Sequence, residues 1–237
     1  MKSEPYMPMP MEDLLRSFSN PEAMARYVEG PPRFVPGLHD LHRMSAILLA
    51  ERAPRDAHVL VLGAGGGMEL AAFAAAQPGW TFEGVDPAAA MLDLAARTMG
   101  SNAARATLRE GYIDDASEGP FDAAACLLTL HFLETAERRR TVAEIHRRLK
   151  PGAPFVAAHS SFPQDPGQRA LWLSRYAAFA VASGADPEQT RTMQEAVAAH
   201  LALYSPEEDA AILAAGGFRD VTPFYAAFTW RGWVAYA

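Results

Sequence analysis

The sequence predicts an α/β fold with a Rossmann-like, seven-stranded sheet that is mostly parallel and ends in an antiparallel C-terminal strand. Three observations indicate this fold. From residue 57 onward, short apolar runs alternate with Ala-rich stretches of helical periodicity, as βαβ units require. A glycine-rich turn follows the first of these runs. Two strand-like runs with little spacer close the chain, which is typical of a hairpin.

The first 56 residues are predicted to form a helical segment that packs on the core or covers it as a lid. Apolar residues recur at helical spacing over 11–18, 20–30 and 38–53. Asn20 is placed to cap the second of these helices. Prolines exclude a regular helix over 31–37, so that stretch is expected to be an extended connector.

Residues 57–237 are predicted to form the α/β domain. After the fifth strand, residues 167–215 are helix-like with two breaks, which indicates a helical cap inserted at about 165–204, before the last crossover helix. Ser205 before Pro206 is a strong signal for the start of the final helix. Strands are expected at 58–63, 80–86, 104–111, 121–130, 153–161, 219–228 and 229–237, with helices at 67–77, 87–99 and 135–150 between the first five.

Composition limits the classes of partner. The chain has 237 residues and a net charge of −7, which disfavours binding to a nucleic-acid backbone. No apolar stretch is long enough to span a membrane, and the N-terminus lacks the pattern of a signal peptide. We therefore expect a cytoplasmic protein with a small-molecule ligand and neither a membrane nor a nucleic acid as partner. The apolar N-terminal helices are suited to a lid or to a homodimer interface.

The glycine turn reads Gly-x-Gly-x-Gly from Gly63 to Gly67. The third glycine of a dinucleotide fingerprint is missing, and a phosphate-binding loop would need a lysine that is absent here. Asp86 ends the second strand, nineteen residues after Gly67. An acid at that offset is suited to accept hydrogen bonds from ribose hydroxyls, or it could only cap the following helix, which begins with Pro87.

This loop and strand-two acid resemble those of the class I S-adenosylmethionine-dependent methyltransferases. The resemblance implies a methyltransferase sheet with a helical cap, S-adenosylmethionine or S-adenosylhomocysteine as ligand, and methyl transfer to a small-molecule acceptor. It also implies that "EGYIDD" at 110–115 contacts the adenine. The cofactor contacts implied are Gly63, Ala64, Gly65, Gly67, Asp86, Pro87, Tyr112, Ile113, Asp114 and Leu127.

Three further stretches resemble the carboxy-S-adenosylmethionine synthases, which have the methyltransferase fold and make a carboxylated cofactor. They are "RFVPG", "TLHFLETAERR" and "TRTMQEAV", which begin at residues 33, 129 and 190. Arg191 matches the arginine that binds the extra carboxylate in that family, although it could equally be one turn of an exposed helix. Arg33 and Tyr176 are further candidates for substrate binding.

The chain departs from both families at identifiable positions. Val61 stands where methyltransferases usually carry an acid, and Leu38 and Leu127 replace a tyrosine and an asparagine of the synthases. These departures favour the plain methyl donor over carboxy-S-adenosylmethionine. They also leave open a non-catalytic protein that only binds the cofactor.

Candidate catalytic residues are His131 and His159, which follow strand four and end strand five. Imidazole has a pKa suited to proton transfer near neutral pH, but a histidine at a strand end can also be purely structural. No metal is expected, because His39 and His42 share a helix face without a convincing third ligand.

Overall fold

Seven strands form one sheet at the centre of the computed structural model, which describes residues 29–237. The strand order is β3-β2-β1-β4-β5-β7-β6, so the order reverses between β1 and β4, where open α/β sheets bind ligands. The strands are β1 (His58–Leu62), β2 (Thr81–Asp86), β3 (Ala106–Glu110), β4 (Ala123–Leu127), β5 (Pro154–Ser160), β6 (Arg219–Ala227) and β7 (Trp230–Tyr236).

Strands β1 to β5 pair in parallel, and β7 lies antiparallel between β5 and β6. This confirms the predicted fold class. Strand β6 lies at the edge of the sheet, where Pro223 is tolerated because its missing N–H need not join the ladder.

Helices cover both faces of the sheet, as the buried parallel strands require. On one face, β1 contributes Val59 and Val61 to a core shared with α2, α3 and α4; on the other, Leu60 and Leu62 pack with α5 and α8. The helices of the described residues are α1 (Pro31–Phe34), α2 (Leu38–Ala50), α3 (Met68–Ala76), α4 (Ala89–Met99), α5 (Thr135–Arg147), α6 (Pro166–Ala182), α7 (Pro187–His200) and α8 (Pro206–Ala215).

The N-terminal segment differs in part from the prediction. The helices expected over 11–18 and most of 20–30 lie outside the described residues. The connector expected over 31–37 was wrong in its first half, where α1 forms one helical turn. Its two prolines occupy the first turn, where a backbone N–H has no helical partner to lose.

The elements between β5 and the last crossover helix are α6 and α7, in the range where the cap is predicted. Helix α8 begins as expected. The Ser205 hydroxyl accepts a hydrogen bond from the Glu208 backbone N–H, and the Glu208 carboxylate accepts one from the Ser205 N–H. This reciprocal pair satisfies two donors at the start of the helix.

Candidate functional site

The glycine turn joins β1 to α3 by a backbone path that glycine favours. Gly63, Gly65 and Gly67 have φ angles of 75°, 46° and 76°, in the left-handed region. A Cβ on Gly63 would lie 2.0 Å from the Thr129 hydroxyl oxygen, and one on Gly67 would lie 2.7 Å from the Ala95 Cα. The turn is therefore pressed between the end of β4 and helix α4.

Asp86 fixes this turn to the end of β2. One carboxylate oxygen accepts the Gly65 N–H and the other accepts the Ala88 N–H, each at 2.9 Å. Burial raises the pKa of the carboxyl, while the hydrogen bonds from Ala88 and Gly65 lower it. The suggestion that Asp86 only caps α4 is wrong, because that helix begins at Ala89, with Ala88 as its capping residue and Pro87 before it.

A cavity opens beside the turn at the carboxyl ends of β1, β2 and β4. Together with its open mouth it holds about 1090 Å³ of empty space, enough for a nucleoside-sized ligand. Its walls bring together seven of the ten predicted cofactor contacts, which are Gly63, Gly65, Asp86, Pro87, Tyr112, Ile113 and Leu127.

The other three predicted cofactor contacts lie outside the cavity wall. Ala64 is fully buried, and Gly67 packs on α4. Asp114 is mostly exposed and accepts two hydrogen bonds of 2.8 Å from Arg140. The Arg140 guanidinium holds the pKa of the Asp114 carboxyl below its usual value.

Sequence reasoning missed three titratable residues in the wall, which are Glu69, Glu137 and His42. Glu69 lies in the first turn of α3, and its position two residues after the last glycine was the only available signal. His42 follows Leu38 by one helical turn, so both residues face the cavity from α2. Burial lowers the pKa of His42 to about 4, and the imidazole is therefore neutral at pH 7.

The charges of the cavity wall are acidic. Among the described residues that line it are the carboxyl groups of Glu69, Asp86 and Glu137, but no lysine or arginine. The remaining wall is largely apolar and includes Met91 and Phe132. Such a wall suits a ligand that carries positive charge.

The two predicted catalytic histidines lie outside this wall, in a buried polar cluster. His159 Nε2 lies 3.2 Å from Asp209 Oδ1, and Arg138 donates a hydrogen bond of 2.8 Å to the same oxygen. His131 is 4% exposed, and its ring lies edge-on to Trp230. Burial lowers the pKa of His131 well below its usual value.

The three predicted substrate contacts also lie outside the cavity wall. Arg191 is exposed on α7 and pairs with Glu188 and Glu195. Arg33 is half-exposed and pairs with Glu29. Tyr176 on α6 is buried, and its hydroxyl donates a hydrogen bond to the Met193 sulfur.

The N-terminal helices are held over the cavity by the C-terminal hairpin. The Trp230 indole N–H donates a hydrogen bond of 2.8 Å to the Phe34 carbonyl, and the Tyr225 hydroxyl donates one to the Pro36 carbonyl. These contacts bracket the turn that precedes α2 and thereby position His42.

No helix in the described part of the chain is both long and apolar enough to cross a membrane.

Known proteins resemble the chain in sequence. Residues 60–155 match the family model of a methyltransferase domain. The chain is similar to the carboxy-S-adenosyl-L-methionine synthase of Campylobacter lari, with 23% identity over 80% of this chain and 81% of the relative. It is also similar to the synthase of Chromohalobacter salexigens, with 32% identity over 70% of this chain and 64% of the relative.

Solved structures share the fold. An O-methyltransferase family protein from Burkholderia thailandensis matches with a TM-score of 0.69 at 18% identity, over 99% of this chain and 65% of that one. Human N-acetylserotonin methyltransferase in complex with SAM matches with a TM-score of 0.57 at 16% identity, over 94% of this chain and 61% of that one. The chain thus spans under two thirds of either structure. Residues 60–155 match a methyltransferase domain, and the chain as a whole shares the fold of methyltransferases of known structure.

Proposed function

We propose that the protein transfers a methyl group from S-adenosylmethionine to a small, largely apolar acceptor. The observation that carries this proposal is the cavity at the carboxyl ends of β1, β2 and β4, whose described wall is acidic and has no lysine or arginine. When bound, the cofactor supplies an electrophilic methyl group on a positively charged sulfur. The protein's task is then to align the acceptor and exclude water.

The residues present fit this cofactor. Each Asp86 oxygen accepts one backbone N–H, which leaves lone pairs to accept hydrogen bonds from ribose hydroxyls. Ile113 and Met91 offer apolar surface to an adenine ring. The acidic wall suits the positive charges of the sulfonium and the amino group.

His42 is our candidate for the group that accepts the acceptor's proton. It lines the cavity, it is neutral at pH 7, and the hairpin positions its helix. We propose that His131 and His159, in contrast, stabilise the fold through the cluster with Asp209.

A second candidate function is synthesis of carboxy-S-adenosylmethionine, which the curated relatives favour. That cofactor carries an additional carboxylate, which a basic side chain would have to neutralise. The cavity wall has no such side chain among the described residues, and Arg191 is already paired with two glutamates. We therefore propose the plain methyl donor.

The test is methyl transfer to a panel of small phenols, alcohols and amines, followed as formation of S-adenosylhomocysteine. We expect at least one acceptor to accelerate its formation and His42→Asn to lower kcat. Asp86→Ala should weaken cofactor binding about 100-fold, because two hydrogen bonds to a charged acceptor are lost. Asp114→Ala, in the pair with Arg140, should leave binding within about threefold.

Two results would contradict the proposal. Binding of the cofactor without turnover of any acceptor would indicate a protein that only binds it. Formation of carboxy-S-adenosylmethionine from a carboxylate donor would instead favour the second candidate.

A further inference from the structure

Glu69 is a buried carboxyl group that faces the cavity. Its residue is 8% exposed, and it lies in the first turn of α3, directly after the glycine turn. None of the ion pairs between described side chains includes it. Charged side chains are seldom buried unless they are paired. The Glu69 carboxyl group is therefore available to a positively charged ligand, because no described side chain forms an ion pair with it.

The other charged groups of the described cavity wall are also acidic. Asp86 at the end of β2 places a negative charge near Glu69. Burial and the charge of Glu69 raise the pKa of the Cys126 thiol on β4. His42 on α2 and Glu137 on α5 line the same cavity. Burial and the charge of Asp86 raise the pKa of Glu69 to about 8, so in the protein alone the carboxyl is mostly protonated at pH 7.

Strand β1 does not provide the acid instead. Val61, two residues before the glycine turn, is fully buried between Gly84 and Ala125 of the neighbouring strands. Its side chain belongs to the same core as Leu70 of α3. Glu69 is the one acid of α3, and it lines the cavity next to the glycine turn.

We propose, on the basis of the function proposed above, that the Glu69 carboxylate binds the ammonium group of the cofactor's methionine moiety. The cofactor has two positive centres, but only the ammonium has N–H donors for a carboxylate, whereas the sulfonium has none. Asp86 holds the ribose, and Glu69, on the other side of the glycine turn, holds the amino-acid end. In this way α3 supplies the charge that Val61 lacks.

Calorimetric titration of the full chain tests the assignment. Glu69→Gln should weaken S-adenosylmethionine and S-adenosylhomocysteine alike, each about 10- to 100-fold, because both carry the ammonium. Deaminated S-adenosylhomocysteine should bind the wild type and the variant equally. Glu137→Gln is the matched control: it removes a carboxylate from the same wall, but one already paired with Arg140 at 2.7 Å, and should cost less than about threefold.

Proton release gives an independent measure. If the ammonium ionises Glu69, the wild type should release more protons on binding at pH 7 than Glu69→Gln, measured in two buffers of different ionisation enthalpy. Glu69→Asp, which keeps the charge on a shorter side chain, should lose less affinity than the Gln variant. It provides the comparison if the Gln variant unfolds.

The outcomes separate this assignment from the proposed function. If the wild type binds both ligands and Glu69→Gln binds them equally well, the assignment is wrong and the proposed function stands. An equal loss for the deaminated ligand would also overturn it. Failure of the wild type to bind either ligand would remove both proposals together.

Discussion

The contact between Gly63 and Thr129 provides a quantitative test of the glycine turn. A Cβ on Gly63 would lie 2.0 Å from the Thr129 hydroxyl oxygen and 2.6 Å from its methyl carbon. Gly63→Ala therefore combines left-handed backbone strain of about 1–2 kcal/mol with a steric cost of similar size. We expect the free energy of unfolding to fall by about 3 kcal/mol in total.

The control separates these two contributions. Gly37 has a φ of 67°, close to the 75° of Gly63, but a Cβ there would meet nothing within 4 Å. Gly37→Ala should therefore cost only the backbone strain of about 1–2 kcal/mol. In a Thr129→Gly background, Gly63→Ala should cost about the same as Gly37→Ala, because the obstructing side chain is gone.

The assay is urea unfolding of the four single and double variants, followed by circular dichroism. A coupling energy of about 1–2 kcal/mol between positions 63 and 129 is expected. An equal cost of Gly63→Ala with and without the Thr129 side chain would refute the close packing of the turn on the end of β4.

Three further predictions concern charge. Arg138→Leu should lower the free energy of unfolding by about 3–5 kcal/mol, because it leaves the buried Asp209 carboxylate without its guanidinium partner. The control is Arg140→Ala, which breaks an exposed pair and should cost under about 1 kcal/mol in the same urea assay. The folded-state pKa of His42 lies below its unfolded value. The stability of the wild type relative to His42→Gln should therefore rise by about 3 kcal/mol between pH 4 and 6.5 and then level off. A stability difference that does not change with pH would contradict the burial of His42 as a neutral group. Arg191→Ala should leave affinity for carboxy-S-adenosylmethionine unchanged in calorimetry, and a tenfold loss would instead support its predicted role in binding the extra carboxylate.

The sheet was predictable because its signals are local. Alternation of apolar runs and helical stretches, together with the glycine turn, predicts β1 to β5, and the closing pair of runs predicts the β6–β7 hairpin. The start of α4 was misplaced by two residues because Pro87 is as compatible with an approach to a helix as with its first turn.

The site was less predictable, because its walls come from distant segments. The place of Asp86 in the cavity wall could be predicted from its offset to the glycines. The place of Asp114 outside the wall could not, because it pairs with Arg140, 26 residues away in the sequence. Glu69 has the pattern of an ordinary helix residue, and only the three-dimensional structure shows that it is buried in the cavity wall. His131 follows β4 and His159 lies near the end of β5, where catalytic residues are often found, yet both lie beside Arg138 of α5 and Asp209 of α8 in a buried cluster.

The most direct test of the central claim is the relative affinity of the full chain for S-adenosylmethionine and carboxy-S-adenosylmethionine, measured by calorimetry in one buffer at pH 7. The acidic wall, without lysine or arginine among its described residues, predicts that the plain cofactor binds at least about tenfold more tightly. Tighter binding of the carboxylated cofactor would contradict this account of the cavity.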